Sequence, residues 1–256
     1  NLVKKAYIGI YCFAVVSSGN GSGLLIVNNL LDAITDPIRY TGIYAQGVDG
    51  MTITGNQIAN FDKTTNEDDA GIWLATGTIN STVERNQIYS LGYTGTSGYG
   101  AHGVKVSTAT SNANITIKNN VIYDLFGDGW NYTTILGDNP IGIYLFSAQT
   151  GINVFYNSIH LFGNTLNQTD AISIGICLGT GTSADLRNNI IVNNLGLSGV
   201  TGYGTCGIYA QTNNTQFSNI NYNDYYVNPT GSGVKAIGKL STTTTALNLA
   251  DWKTAS

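Results

Sequence analysis

An all-β fold, a single-stranded right-handed parallel β-helix of about seven to eight coils with three short strands each, follows from three observations on this 256-residue chain. A Gly-led element recurs at Gly9, Gly42, Gly71, Gly103, Gly142, Gly175, Gly207 and Gly233, at separations of 33, 29, 32, 39, 33, 32 and 26 residues. An Asn-centred element, clearest as I-x-V-x-x-N-x-I, recurs at Asn29, Asn56, Asn86, Asn120, Asn157, Asn189 and Asn223. Within each element apolar residues follow the period of two that belongs to strands. A fixed unit joined by variable spacers is what a coil with loops extruded on one side produces, and the repeats run through nearly all of residues 1–256, which predicts one domain.

The Gly-led element supplies the first strand. One residue after the glycine stand Ile10, Ile43, Ile72, Val104, Ile143, Ile176, Ile208 and Val234; three after it stand Cys12, Ala45, Leu74, Val106, Leu145, Leu178, Ala210 and Ala236. Both positions share a face, which is apolar throughout and is therefore the expected core. Around each Asn, position −3 reads Ile26, Ile53, Val83, Ile117, Val154, Leu186 and Ile220, and position +2 reads Leu31, Ile58, Ile88, Ile122, Ile159, Ile191 and Tyr225. Those positions are an odd number of residues apart, so a straight strand would send them to opposite faces. The chain must turn between them, and the Asn is expected at the corner, since it tolerates left-handed backbone geometry and its amide can extend a ladder of side-chain hydrogen bonds. Coils about 4.8 Å apart then pair like strands in parallel. A doubly wound α/β fold would need amphipathic crossover helices, and no spacer supplies one.

Composition agrees. Charged residues make up 10% of the chain, while glycines number 32 and tyrosines 16, which favours strands and turns over helices. A net charge of −4 argues against a nucleic-acid partner. Cys12, Cys177 and Cys206 are too few for a disulfide framework, and the offsets of Cys177 (+2) and Cys206 (−1) from their glycines place them on opposite faces of a regular strand, so free thiols are expected. Lys4-Lys5 followed by A-Y-I-G-I-Y-C-F-A-V-V imitates a signal peptide, but Gly9-Ile10-Tyr11-Cys12 is in register with the repeat. No apolar run is long enough to span a bilayer as a helix.

The G-I-Y and N-x-I elements over about residues 6–238 resemble the right-handed parallel β-helix repeats of secreted polysaccharide lyases, glycosidases and surface proteins of the pectate-lyase-like superfamily fold. They are most similar to long β-helix proteins exported by Bacteroidota-type bacteria. The tail L-N-L-A-D-W-K-T-A-S (247–256) resembles the start of a Leu/Trp element that precedes a further turn in such proteins. The resemblance implies an extracellular or cell-surface location and a segment of a longer solenoid, whose partners are other parts of the same polypeptide and a polysaccharide or cell-surface glycan. An obvious polar cap is missing from both ends of the sequence, which points the same way.

Function is sought outside the core. Position +2 after the glycines reads Tyr11, Tyr44, Trp73, Lys105, Tyr144, Cys177, Tyr209 and Lys235, an outward column in which Tyr11, Tyr44, Trp73, Tyr144 and Tyr209 are candidate sugar-stacking residues; the alternative is that they stack between coils and stabilise the sheet. The run Glu67-Asp68-Asp69 and Ala101-His102-Gly103 one coil later invite comparison with polygalacturonase-type glycosidases, although the flanking motifs of that family are missing. Asp68, Asp69, His102 and Lys105 are the catalytic candidates, two carboxylates being necessary for general acid and base roles. Asp128, Asp138 and Asp170 lie on long spacers, but no D-x-D-x-D-G series supports Ca2+, so no cofactor is expected. The leading expectation is a non-catalytic extracellular solenoid acting in adhesion, glycan contact or scaffolding. The alternative is a polysaccharide lyase or glycoside hydrolase with its site on the loop edge near residues 67–105.

Overall fold

The computed structural model describes residues 1–198, 202–231 and 233–256. It is a parallel β-solenoid of about seven turns, with three sheets running along its axis. The Gly-led strands, from Ile8–Phe13 to Val234–Leu240, form one sheet. The strands before each Asn, Leu25–Val27 to Phe217–Asn221, form the second, and those after it, Leu30–Asp32 to Asp224–Val227, form the third. Ile8–Phe13 pairs with Thr41–Gln46, so the basic-apolar start of the chain is part of the repeat.

The core is where the alternation predicts it. Ile43, Ile72, Val104, Ile143, Ile176 and Ile208 of the first sheet meet Ile53, Val83, Ile117, Val154 and Leu186 of the second and Ile58, Ile88, Ile122, Ile159 and Ile191 of the third, all buried. Between second and third sheets runs the Asn ladder. Asn157 donates from both its backbone N–H and its Nδ2 to Asn189 Oδ1 (3.1 and 3.0 Å), while Nδ2 also reaches Ile117 O at 3.0 Å. The same pattern repeats from Asn29 to Asn223, and Asn1 Nδ2 adds a further rung on Asn29 Oδ1 at 3.0 Å.

The corner, however, is one residue earlier than expected. The left-handed residue is the one before each ladder Asn: Asn28, Gly55, Arg85, Asn119, Tyr156, Asn188 and Tyr222, with φ between 52° and 67°. The ladder Asn keeps ordinary φ because its amide must point inward along the axis; its neighbour takes the turn. Tyr and Arg are accepted there at a cost of about 1–2 kcal/mol, offset by the fully paired Asn.

A second correction concerns the glycines. A Cβ on Gly142 would lie 2.5 Å from Gly175 O and 2.7 Å from Ile159 Cγ2, and Gly175 meets Gly207 O and Ile191 Cγ2 in the same way. The glycine therefore faces the core together with the residue after it, and strict alternation is broken at each one. Positions −1 and +2 both face outward: Ile141, Ile174 and Cys206 pack with Tyr144, Cys177 and Tyr209 in a second apolar cluster outside the coil. Cys177 and Cys206 thus share a face, contrary to the parity argument, and all three cysteines are free.

In the last coil the register runs Cys206↔Ala236, Ile208↔Gly238 and Tyr209↔Lys239, so Ile237 and not Gly233 occupies the glycine position, and Lys239 rather than Lys235 ends the outward column. The last coil is covered, although the sequence shows no obvious polar cap there. Thr244–Ala246 turns back antiparallel on Val234–Leu240, and the helix Leu249–Ala255, capped by Asn248 accepting from Asp251 N–H at 3.0 Å, lays Trp252 over Gly238 and against Phe217.

Candidate functional site

The outward column of the first sheet divides into two halves. Tyr11 pairs in register with Tyr44, and Tyr44 with Trp73. Tyr11 and Tyr44 stack at 5.2 Å, and Trp73 stands edge-on to Tyr44 at 5.2 Å. Tyr7, Tyr11 and Phe13 are 52%, 58% and 60% exposed, and Tyr7 stacks on Tyr40 beside them. Beyond Lys105 the column is no longer surface. Tyr144 and Tyr209 are 3% and 2% exposed, beneath the 127–140 spacer, whose Tyr132 and Leu136 pack on them. The expected continuous outer stripe is therefore corrected: Tyr11 is exposed and Tyr44 and Trp73 are half-buried, whereas Tyr144 and Tyr209 are core residues of the second cluster. Lys239 Nζ sits among Tyr203, Tyr209 and Tyr132 at 4.5, 5.8 and 5.5 Å from the ring centres, fully buried.

At the boundary between the halves lies a cavity of about 410 Å3, walled by Asp68, Lys105, Asp138, Tyr144, Phe146 and Gln211 among others. Asp68 ends the 61–68 spacer, and its Oδ1 accepts from Gly100 N–H at 2.8 Å. Asp138 comes from the 127–140 spacer and reaches Asp68 within hydrogen-bonding distance. Burial drives the Asp68 carboxyl up to about 8, and the neighbouring Asp138 charge and hydrogen bond add to that, against the Gly100 N–H and Lys105. Asp138 is raised too, by burial, so the neighbouring carboxyls hold on to protons more tightly than ordinary aspartates do. The Lys105 ammonium lies 4.2 Å from the Trp73 ring centre. Burial lowers its pKa, while Asp68 and Asp138 pull the other way.

The sequence-predicted candidates are not all gathered there. Asp69 points away from Asp68, is 2% exposed, and takes a hydrogen bond from Gly92 N–H; burial, then the charges of Glu67, Asp68 and Asp62, hold its carboxyl well above the usual range. His102 stands at position −1, hence outward, but fully buried under the same spacer. Its Nε2 donates to Gly137 O at 2.8 Å, its ring lies 5.1 Å from Tyr144, and Nδ1 has no partner. Burial, with Lys105 adding to it, keeps the ring neutral. Asp138 and Tyr144 complete the set; the sequence marks Asp138 only as a carboxylate on a long spacer and gives no sign that it meets Asp68.

Chemically, the cavity offers a carboxyl pair, a cation and a phenol. The Asp68 and Asp138 carboxyls in hydrogen-bond contact stand closer than the roughly 5–5.5 Å or 6.5–9.5 Å that retaining and inverting glycosidases use. Among the described residues, no group of three or more His, Cys, Asp or Glu side chains is arranged to hold a metal ion, and no helix is long and apolar enough to cross a membrane. Comparison with protein-family models, curated proteins and solved structures gives no match to this chain.

Proposed function

We propose that the chain is a non-catalytic, glycan-contacting solenoid of the cell exterior or cell surface, serving adhesion or scaffolding. The observation that carries this reading is the aromatic column of exposed Tyr11 and half-buried Tyr44 and Trp73, widened by exposed Tyr7 and Phe13 and by half-buried Tyr40. Its rings are held by one another and by Trp73 Nε1 donating to Ser107 Oγ at 2.8 Å, so a ligand meets a surface with little freedom left to lose. Exposed aromatic patches of this kind mark interaction sites, and flat amphipathic rings suit the apolar faces and hydroxyl edges of sugars. The acidic chain favours a polysaccharide over a nucleic acid. Affinity electrophoresis against a panel of polysaccharides tests it: Trp73→Ala should lose retardation with unchanged thermal stability, and undiminished binding would remove the column from consideration.

A second reading, a polysaccharide lyase or glycoside hydrolase, is favoured by one observation, the convergence of Asp68, Asp138 and Lys105 in a single cavity. Incubation with acidic polysaccharides discriminates. Release of unsaturated or reducing ends, abolished in a His102→Ala/Lys105→Ala double variant, would establish the enzyme and overturn the non-catalytic reading.

A further inference from the structure

The cavity has a property that neither the column nor the ladder shares: its polar groups are only partly used. A lysine ammonium carries three donors, yet Lys105 Nζ makes no hydrogen bond and no ion pair among the described residues; it rests over the Trp73 ring and feels the two carboxylates only through space. Tyr144 Oη, the hydroxyl of an otherwise buried side chain, likewise makes no hydrogen bond among the described residues, although it faces the same cavity. Gln211 uses only its Oε1, which accepts from Thr180 N–H at 3.1 Å, and its Nε2 is free in the same sense. Opposite these donors stand the Asp68 and Asp138 oxygens, and Phe146 gives the wall an apolar side. Unused donors and a carboxyl pair lining one cavity, with no ion pair between Lys105 and either carboxyl among the described residues, describe a site that a ligand with several hydroxyls would complete.

We propose that this cavity is a binding subsite for one uncharged pyranose unit, whose hydroxyls bridge the Lys105 ammonium, the Tyr144 hydroxyl and the Gln211 amide to the Asp68–Asp138 pair. The ligand class rests on the glycan-contact reading above; the site itself rests on the cavity. Charge selects the unit. The Lys105 ammonium and the Asp68–Asp138 carboxyls line the same cavity and offset one another, so a neutral ring enters without burying an uncompensated ion. A uronate would meet the Asp68 and Asp138 carboxyls, and a protonated amino sugar would meet Lys105. About 410 Å3 lies at the lower end of the range for ligand sites, which suits a single ring rather than a chain. The subsite opens beside Trp73, so a glycan lying along the Tyr11–Tyr44–Trp73 column would end in it.

Isothermal titration calorimetry of the full chain tests this, with cellohexaose, mannohexaose and xylohexaose as uncharged probes, hexagalacturonate as the anionic probe and hexaglucosamine as the cationic one. At least one uncharged probe should bind, and Asp138→Asn, Lys105→Met and Tyr144→Phe should each weaken it, the first two by about tenfold. All three keep the shape of the side chain, and unfolding curves verify the fold. If Lys105→Met does not fold, the other two still decide. Tighter binding of hexagalacturonate or hexaglucosamine than of every uncharged probe, or no binding of any probe, overturns the proposal. Unchanged affinity in the cavity variants together with loss in a Tyr11→Ala/Tyr44→Ala double variant also overturns it while leaving the column reading intact. Loss in the cavity variants with that double variant unaffected keeps the subsite and removes the column.

Discussion

Tyr11 and Tyr209 occupy the same position of the same repeat, yet Tyr11 is 58% exposed and Tyr209 is 2% exposed. The strands that carry them are alike, and both point away from the core. What differs is the spacer. No described residue folds back over Tyr11, whereas residues 130–139 lie across the later coils and bring Tyr132 and Leu136 down on Tyr144, Cys177 and Tyr209. The repeat therefore determines where a side chain points, and spacer length determines whether that direction is surface or a second core. The two are separable because the repeated strands pair only with their neighbours, while a long spacer can reach across several coils.

The sharpest way to break this comparison is to truncate both ends of the column. Tyr209→Ala should cost about 3–5 kcal/mol, as large-to-small changes in a core do, and Tyr11→Ala should stay within about 1 kcal/mol; urea unfolding measures both, and equal losses would mean that the division is not real. The boundary itself can be titrated. Asp68 is raised to about 8 by burial, while in the unfolded chain it titrates near an ordinary aspartate value of about 3.9. The native state therefore keeps a proton that the unfolded state has lost, and its stabilising effect, full below about pH 4, disappears as pH rises towards 8. Asp69 acts in the same direction. Stability should fall between pH 5 and pH 9, and Asp68→Asn should flatten the slope; an unchanged slope would place the titration elsewhere. His102 has the opposite sign, since its buried neutral ring loses stability for the fold as pH drops below about 6.5. The smallest effect is kinetic: in native protein a thiol reagent should modify half-exposed Cys12 first, with Cys177 and Cys206 reacting only on unfolding, and equal rates would contradict the buried half.

Much of this was legible in the residues themselves. The apolar positions around Gly and Asn identify the core of every full coil, and the invariant spacing from Ile117 to Ile122 or Val154 to Ile159 announces a turn. Two things were hidden by physics that alternation does not encode. At each glycine two successive residues face inward because backbone meets backbone, and no side chain marks that break, so the face shared by Cys177 and Cys206 could not be read from parity. The path of the 127–140 spacer has no period at all, and Asp138 meets Asp68 from 70 residues away only because that spacer folds across the sheet. A signal for the C-terminal cap did exist: Asn248 followed three residues later by Asp251, ahead of Trp252, is a helix start. The glycine at 233 misled because the true register puts Ile237 at the glycine position, and Gly238, the next residue, supplies the small residue that Trp252 requires.

The ladder also governs how this chain can change length. Each Asn answers only to the copy one coil before and one coil after it, through the same pair of donors and the same oxygen. Within the ladder a whole turn can be duplicated or lost and the two cut faces can rejoin, amide to amide, wherever no long spacer crosses the cut. One residue inserted between Val154 and Ile159 would instead leave Asn157 facing the wrong way and orphan its neighbours on both sides. Growth by complete turns is tolerated and growth by fractions of a turn is not, so the natural unit of variation in this molecule is the coil rather than the amino acid.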